Sequence, residues 1–530
     1  MAIGALLALP VLFVVASVFR GGGETWAHLA ATALPAYVWN TVLLLAVVAC
    51  GVISMGVLSA WLVTVYRFPG RDLLEWALML PLAMPAYVMA YAYTDWLQFT
   101  GPVQTALRGL TGWRAREYWF PEIRSLAGAA AMLSFALYPY VYLIARTAFH
   151  EMPRSAIEAA RLAGHGTWGA FFRVAVPLAR PAIAAGASLA LMETLADFGT
   201  VSYFAVEVFT VGIFKAWFSM GDVVAAAQLS SCLLAFVLLV IALERSSRGR
   251  AAYYSVAPRK PVPPHRLTGA PGWLALAACT APVVFGFVVP GILLVTLAWG
   301  ERASYLGARF IALAANSFSV AGLTAMVAVA LAVLMAYAAR LTRSHWVGAA
   351  NRMASLGYAV PGAVIAVGVL VPLGKLDNAA ANAIEALFGI KTGLLLTGTI
   401  AALVYAYLVR LLAVALQTTE AGLAKITPSM EHAARSLGTS AGGTLARVHV
   451  PLLAGSLATA ALLVFVDVLK ELPATFALRP FNFDTLAIEA YNLAKDERLA
   501  EAAVPSLVIV AIGLLPVIYV SKRYFQATRS

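Results

Sequence analysis

Apolar residues run through this chain in long blocks, separated by short stretches where Arg, Lys, Pro, Gly and acidic residues collect. A helix that crosses a bilayer needs about 20 consecutive apolar residues, because no water is present there to satisfy a bare backbone. Runs near that length lie at 2–19, 40–66, 73–97, 125–148, 182–201, 224–244, 273–299, 316–339, 353–373, 394–416, 452–472 and 502–521. No Lys or Arg precedes the first run and no A-x-A follows it, so it reads as a membrane helix and not as a signal-peptide core. The pattern predicts an all-α polytopic membrane protein of about twelve transmembrane helices.

Composition strengthens that reading. Of 530 residues, 62% are hydrophobic and only 12% charged, and the mean hydropathy is +0.84. This much apolar surface excludes a disordered chain and argues against a soluble enzyme. The three cysteines, Cys50, Cys232 and Cys279, all sit in apolar runs, which excludes a disulfide scaffold and a Cys-based zinc site. The net charge of +12 then concerns orientation in the bilayer and not nucleic acid. Most Lys and Arg fall in alternate connecting segments, at 66–72, 146–180, 245–271, 339–352, 410–450 and 522–530. Basic segments stay in the cytoplasm, so this pattern predicts both termini inside a bacterial inner membrane.

The chain repeats itself. Residues 158–178 align without gaps to 432–452 at an offset of 274. Ala159, Ala160, Arg161, Gly164, Gly169, Arg173, Val174, Val176, Pro177 and Leu178 recur as Ala433, Ala434, Arg435, Gly438, Gly443, Arg447, Val448, Val450, Pro451 and Leu452. Asn40 matches Asn316, and Pro85 matches Pro361, both at 276. A near-constant offset means that whole halves are duplicated. The expected organisation is a first half over 1–244 with its loop near 150–180, a basic, Pro- and Gly-rich cytoplasmic linker over 245–272, and a second half over 273–530 with its loop near 420–451. Both loops fall on one side, so the halves are parallel repeats, and a pathway between such halves follows naturally.

Each repeated loop is an Ala-rich helical stretch, a Gly suited to a sharp turn, a second short stretch, and a Pro that opens the next membrane helix. The result is a helical elbow able to press into a groove on a soluble partner. The spacing Glu158-Ala159-Ala160, Gly164 and Val176-Pro177 resembles the EAA signature of binding-protein-dependent ABC importer permeases. The resemblance implies the type I permease fold and gives these loops the role of coupling elements seated in the ATPase. Glu158, Ala159, Ala160, Gly164 and Pro177, with Glu431, Ala433, Ala434, Gly438 and Pro451, are the matching coupling residues. The second copy departs from the signature, with His432 where Glu is expected and Glu431 one place earlier. The stretches 101–125, 192–222 and 470–481 resemble the fused two-half permeases of ferric-iron importers. That likeness implies a periplasmic ferric-binding protein and two copies of a cytoplasmic ATPase as partners. It implies ATP used by those partners and no cofactor on this chain. Thiamine, phosphonate and polyamine importers are neighbouring alternatives.

Four acids fall inside apolar runs: Glu193, Asp197, Asp467 and Glu471. They form two i,i+4 pairs, and the repeat offset of 274 maps one pair onto the other. A mid-bilayer charge costs about 2.5–3.5 kcal/mol on insertion scales, so such residues face a pathway or a partner. Carboxylates are hard oxygen ligands suited to a trivalent cation, and the four are candidates for the transport path. The competing role is structural, through Lys470 or as helix caps. The chain carries no phosphate loop: Gly368 and Gly374-Lys375 have the wrong spacing and no following Ser or Thr. Gly164-x-Gly166-x-x-Gly169 follows a helical stretch and not a strand, the wrong context for a dinucleotide. The chain is therefore expected to be a transporter subunit and not an enzyme. An ion-gradient-driven transporter would also fit the acids and the repeats, but has no use for a duplicated cytoplasmic elbow.

Overall fold

In the computed structural model the apolar runs are largely helical. Residues 20–22, 115–116, 153–157, 159, 161, 165, 249–264, 302–306, 343 and 530 lie outside the described structure, and 167, 248, 265 and 520–529 are described through their backbone alone. The first half comprises α1 (Ala2–Ser17), α2 (Glu24–Thr32), α3 (Leu34–Val65), α4 (Arg71–Ala77), α5 (Ala86–Leu97), α6 (Pro102–Thr111), α7 (Leu126–His150), α8 (Trp168–Ala196), α9 (Gly199–Tyr203), α10 (Phe209–Phe214) and α11 (Val223–Arg248). The second comprises α12 (Ala270–Gly300), α13 (Ala308–Thr342), α14 (His345–Leu356), α15 (Gly362–Phe388), α16 (Ile400–Leu423), α17 (Pro428–Ser436), α18 (Ala441–Leu469), α19 (Pro473–Leu478), α20 (Leu486–Lys495) and α21 (Leu499–Arg529). Among the described residues ten helices are long and apolar enough to cross a membrane. An eleventh span is added if the pair Arg71–Ala83 and Ala86–Thr111, bent by 91°, counts as one. α1 is apolar but has only 16 residues.

Some edges differ from the hydrophobic runs for clear reasons. The run at 353–373 is broken by the 3₁₀ turn Gly357–Ala359 and by Pro361, so the long helix starts at Gly362. Pro81 and Pro85 break the matching run of the first half, because proline removes a ladder donor and disfavours helix in the residue before it. The run beginning at 394 loses its start to a loop that Asp377 organises: its carboxylate accepts from the N–H groups of Leu395, Leu396 and Thr397 and from the Thr397 hydroxyl.

Two compact units result, and each draws on both sequence halves. One contains 1–31, 212–234 and 302–492; the other contains 32–211, 235–301 and 493–530. In the first unit α1 packs on α15 and α14. The Leu6 carbonyl accepts from the Tyr405 hydroxyl at 2.6 Å, and Val14 accepts from Ser231 at 2.7 Å. In the second unit α12 packs on α3, α5 and α21, with the Tyr93 hydroxyl donating to the Phe285 carbonyl at 2.7 Å. The opening helix of each half thus belongs to the unit built round the other half's core.

Inside the second unit α3, α7 and α8 form the tightest layer. A methyl group added at Gly56 or Gly186 would lie 2.7 Å from Val141, so glycine sets the helix spacing there. The same duplication appears in polar contacts. The Asn40 amide donates to the Glu207 carbonyl at 2.9 Å, and Asn316, its repeat partner, donates to the Asp484 carbonyl at 3.1 Å. The far end of the linker is tied down by a two-residue parallel pairing of β1 (Tyr66–Arg67) with β2 (His265–Arg266).

Candidate functional site

The second repeated loop is described in full. α16 ends at Leu423, α17 begins at Pro428, and the chain turns at Gly438 into α18. Gly438 has φ +82, the left-handed region that only glycine enters without strain, and a Cβ there would meet open space. The turn closes through Thr439 N–H to the Ala434 carbonyl and Gly438 N–H to the Arg435 carbonyl. Ser440 then caps α18 by accepting from Gly443 N–H at 3.1 Å. Ala433 and Pro451 are exposed, whereas Ala434 is buried under the turn. The elbow anticipated from the sequence is therefore formed.

Glu431 does not project from this elbow. Its carboxylate lies 2.9 Å from His449 Nε2 and 3.3 Å from Arg340 Nε. Arg340 also donates to the carbonyls of Leu423 and Ile426, each at 2.7 Å, which fixes the descent from α16 into α17. The Tyr337 hydroxyl donates to the Ala441 carbonyl at 2.8 Å. Sequence reasoning missed Arg340, Tyr337 and His449. Arg340 read only as an orientation charge, and a lone histidine in an otherwise apolar helix start was the available signal for His449.

At the first loop Ala159 lies outside the described residues. Glu158 is exposed and Ala160 buried, as are their repeat partners His432 and Ala434. Gly164 has φ +80, within 2° of its repeat partner, again with open space at its Cβ. This loop rests on aromatic packing: the Trp61 ring lies 5.1 Å from Phe171 and 5.4 Å from Phe149. Leu162, Trp168 and Phe172 are exposed beside it. A buried ion pair of Arg146 with Glu75 ties α7 to α4 nearby. Its repeat positions are Glu420 and Asn351, which hydrogen-bond at 3.0 Å.

The expectation that Pro177 and Pro451 each open a membrane helix needs correction. Each lies within a longer continuous helix, just after one wide π turn over Phe171–Ala175 or Leu445–His449. Val176 N–H bonds to the Phe171 carbonyl, and Val450 N–H to the Leu445 carbonyl. The widened turn accommodates a proline that cannot donate and whose ring crowds the preceding turn.

The four acids are not two pairs on continuous helix faces. α8 ends at Ala196, and Asp197 is extended, with ψ 134. Its carboxylate accepts from Thr200 Oγ1 at 3.0 Å and Val201 N–H at 3.1 Å, which caps α9. Glu471 lies past the end of α18 and accepts from the N–H groups of Ala474 and Thr475, both at 3.0 Å, and from Thr475 Oγ1 at 2.7 Å. It caps α19, and Arg410 Nη1 stands 3.9 Å away. Gly199 and Pro473, each two residues beyond the acid, were the sequence signals for these breaks. Asp467 pairs with Lys470 at 2.8 Å, and Glu193 is half-buried. Farther along the second unit Arg124 pairs with Glu497 at 2.7 Å and stacks over Tyr203, whose phenol burial pushes up against the opposing pull of that arginine. Among the described residues no cluster of three or more His, Cys, Asp or Glu is placed to hold a metal ion.

Known proteins resemble this chain. Residues 52–249 match the family described as binding-protein-dependent transport system inner membrane component. The chain is 27% identical over 492 residues to the Fe(3+)-transport system permease protein FbpB 2 of Haemophilus influenzae, covering 92% of this chain and 90% of that protein. It is 32% identical over 211 residues to the molybdenum transport system permease protein ModB of Escherichia coli, covering 38% of this chain and 88% of that one. A crystal structure of a bacterial ABC transporter that imports alginate matches with a TM-score of 0.39 at 14% identity, over 48% of this chain and 96% of that chain. Many apolar helices, a duplicated elbow, the family match and the likeness to the FbpB 2 and ModB permeases lead to one assignment: the chain belongs to the family of binding-protein-dependent transport system inner membrane components, as a multi-pass permease of an ABC importer.

Proposed function

We propose that this permease carries ferric iron, delivered by a periplasmic binding protein, into the cytoplasm. Two copies of a separate ATPase drive it, one docked on each elbow, and both termini lie inside. The observation that carries the coupling role is the duplicated glycine, Gly164 at φ +80 and Gly438 at φ +82. A rigid elbow of this kind transmits displacement as a unit. The chain itself supplies path and coupling, with the chemistry of ATP left to its partners. Glu193 and Asp467, at matched repeat positions, are the acids best placed in sequence to meet a hard cation in transit, while Asp197 and Glu471 hold the short helices beyond them.

Iron is favoured because the likeness to the Fe(3+) permease runs through both halves, over 92% of the chain. An oxyanion such as molybdate is the second reading, supported by higher identity over a shorter stretch. ATP-dependent uptake of radiolabelled ferric iron is the test, in vesicles that hold this chain with its ATPase and binding protein, and with molybdate, sulfate and thiamine as competitors. Uptake that ignores iron and follows one of the competitors overturns the cargo assignment.

A further inference from the structure

The two elbows differ in what they do with their acidic residue. Glu158 is exposed at the first. At the second, Glu431 is turned inward, with its side chain only 15% exposed, against Arg340 at 17% and a fully buried His449. Arg340 reaches three points at once: the carboxylate of α17 and the two carbonyls that lead into it. His449 Nδ1 has no hydrogen-bond partner among the described residues, so the tautomer that fits carries its proton on Nε2 and donates to Glu431. At the first elbow Thr64 and Ala175 occupy the places of Arg340 and His449, so neither the guanidinium nor the imidazole is repeated there.

We propose that Arg340, Glu431 and His449 are positioning residues that lock the second elbow from within, so that this elbow meets its ATPase without a carboxylate while the first offers Glu158. The inference rests on the docking role proposed above. The exposed surface of the second elbow is made by Met430, His432, Arg435 and Leu437, with Leu437 84% exposed. Apolar side chains edged by a guanidinium fit an apolar groove with acidic groups at its rim. The first elbow, with Glu158, Leu162, Trp168 and Phe172 outward, fits a groove that offers a cation and flat apolar walls. The two ATPase copies therefore make unlike contacts with one permease chain. Removing one member of a buried charged cluster strands the others, which is why the lock is sensitive to single changes.

The test uses the full chain with its co-purifying ATPase, with Cys50, Cys232 and Cys279 replaced by Ala, and Leu162→Cys or Leu437→Cys joined to the ATPase by a cysteine-reactive crosslinker. If neither cysteine crosslinks without further changes, the docking role itself fails. With both crosslinks in hand, Glu431→Ala and His449→Ala are expected to cut the Leu437→Cys yield about five-fold or more, through misplacement of a lever that must seat accurately. The Leu162→Cys yield should change less than about two-fold, and His449→Gln, which keeps a donor toward Glu431, should restore at least about half the lost yield. An undiminished Leu437→Cys yield in Glu431→Ala, equal losses at both elbows, or no recovery in His449→Gln would each overturn the lock.

Discussion

The elbow at Gly164 and the elbow at Gly438 share a left-handed glycine and differ in what packs behind it. Behind the first, Trp61 sits among Phe149 and Phe171, an apolar cluster whose stability owes little to charge. Behind the second, Tyr337 takes the place of Trp61 and serves as a hydrogen-bond donor beside the Arg340, Glu431 and His449 cluster. A neighbouring matched pair diverges in the opposite sense. Glu75 and Arg146 form a buried ion pair beside the aromatic elbow, while Asn351 and Glu420 make a single hydrogen bond beside the polar one. Duplication has kept a left-handed glycine at the same place in both copies, while the side chains packed behind it have changed.

That contrast is open to direct attack, and the largest effect is expected at Trp61. Trp61→Ala should destabilise the chain by about 3–5 kcal/mol through the cavity left between Phe149 and Phe171, with little dependence on salt. Thermal unfolding of the purified chain at low and high ionic strength checks this. A strong salt dependence would break the view of an apolar clamp. Next comes Arg146→Ala, which leaves Glu75 buried without its main partner and should cost about 3 kcal/mol. Glu420→Ala leaves only the neutral Asn351 behind and should cost about 1 kcal/mol. Equal losses in the two variants would erase the distinction between ion pair and hydrogen bond.

Comparably small effects should be shared by the two elbows. Gly164→Ala and Gly438→Ala each place a Cβ on a left-handed backbone and should cost about 1–2 kcal/mol, with no steric term because the space is open at both. Matched losses, read by thermal unfolding and by retention of the ATPase on purification, sharpen the claim of a shared left-handed glycine. A loss confined to one glycine would refute it.

Much of this was legible in the chain itself. Hydrophobic runs give helices because backbone satisfaction in lipid leaves few alternatives, and a glycine at the same offset in two copies marks the same turn twice. What escaped depends on distant contacts. Arg340 and His449 stand more than a hundred residues apart, and nothing local links either to Glu431. The acids at 197 and 471 were read on continuous helices because an apolar run hides a break. Gly199 and Pro473 were visible, but only the fold shows that a short capped helix follows each. The exchange of opening helices was equally silent, since α1 is apolar on every side and its sequence carries no address.

That exchange sets an order on biogenesis. Leu6 meets Tyr405 across 399 residues of sequence. While the ribosome is still producing the intervening chain, the first helix can meet α11 through Ser231, but the core it will join does not yet exist. Closing so long a loop costs only slightly more than closing a short one, but it delays completion of either unit until nearly all of the protein has entered the membrane. A truncated translation product would therefore leave an orphaned helix for quality-control proteases, and would not yield a finished half-permease.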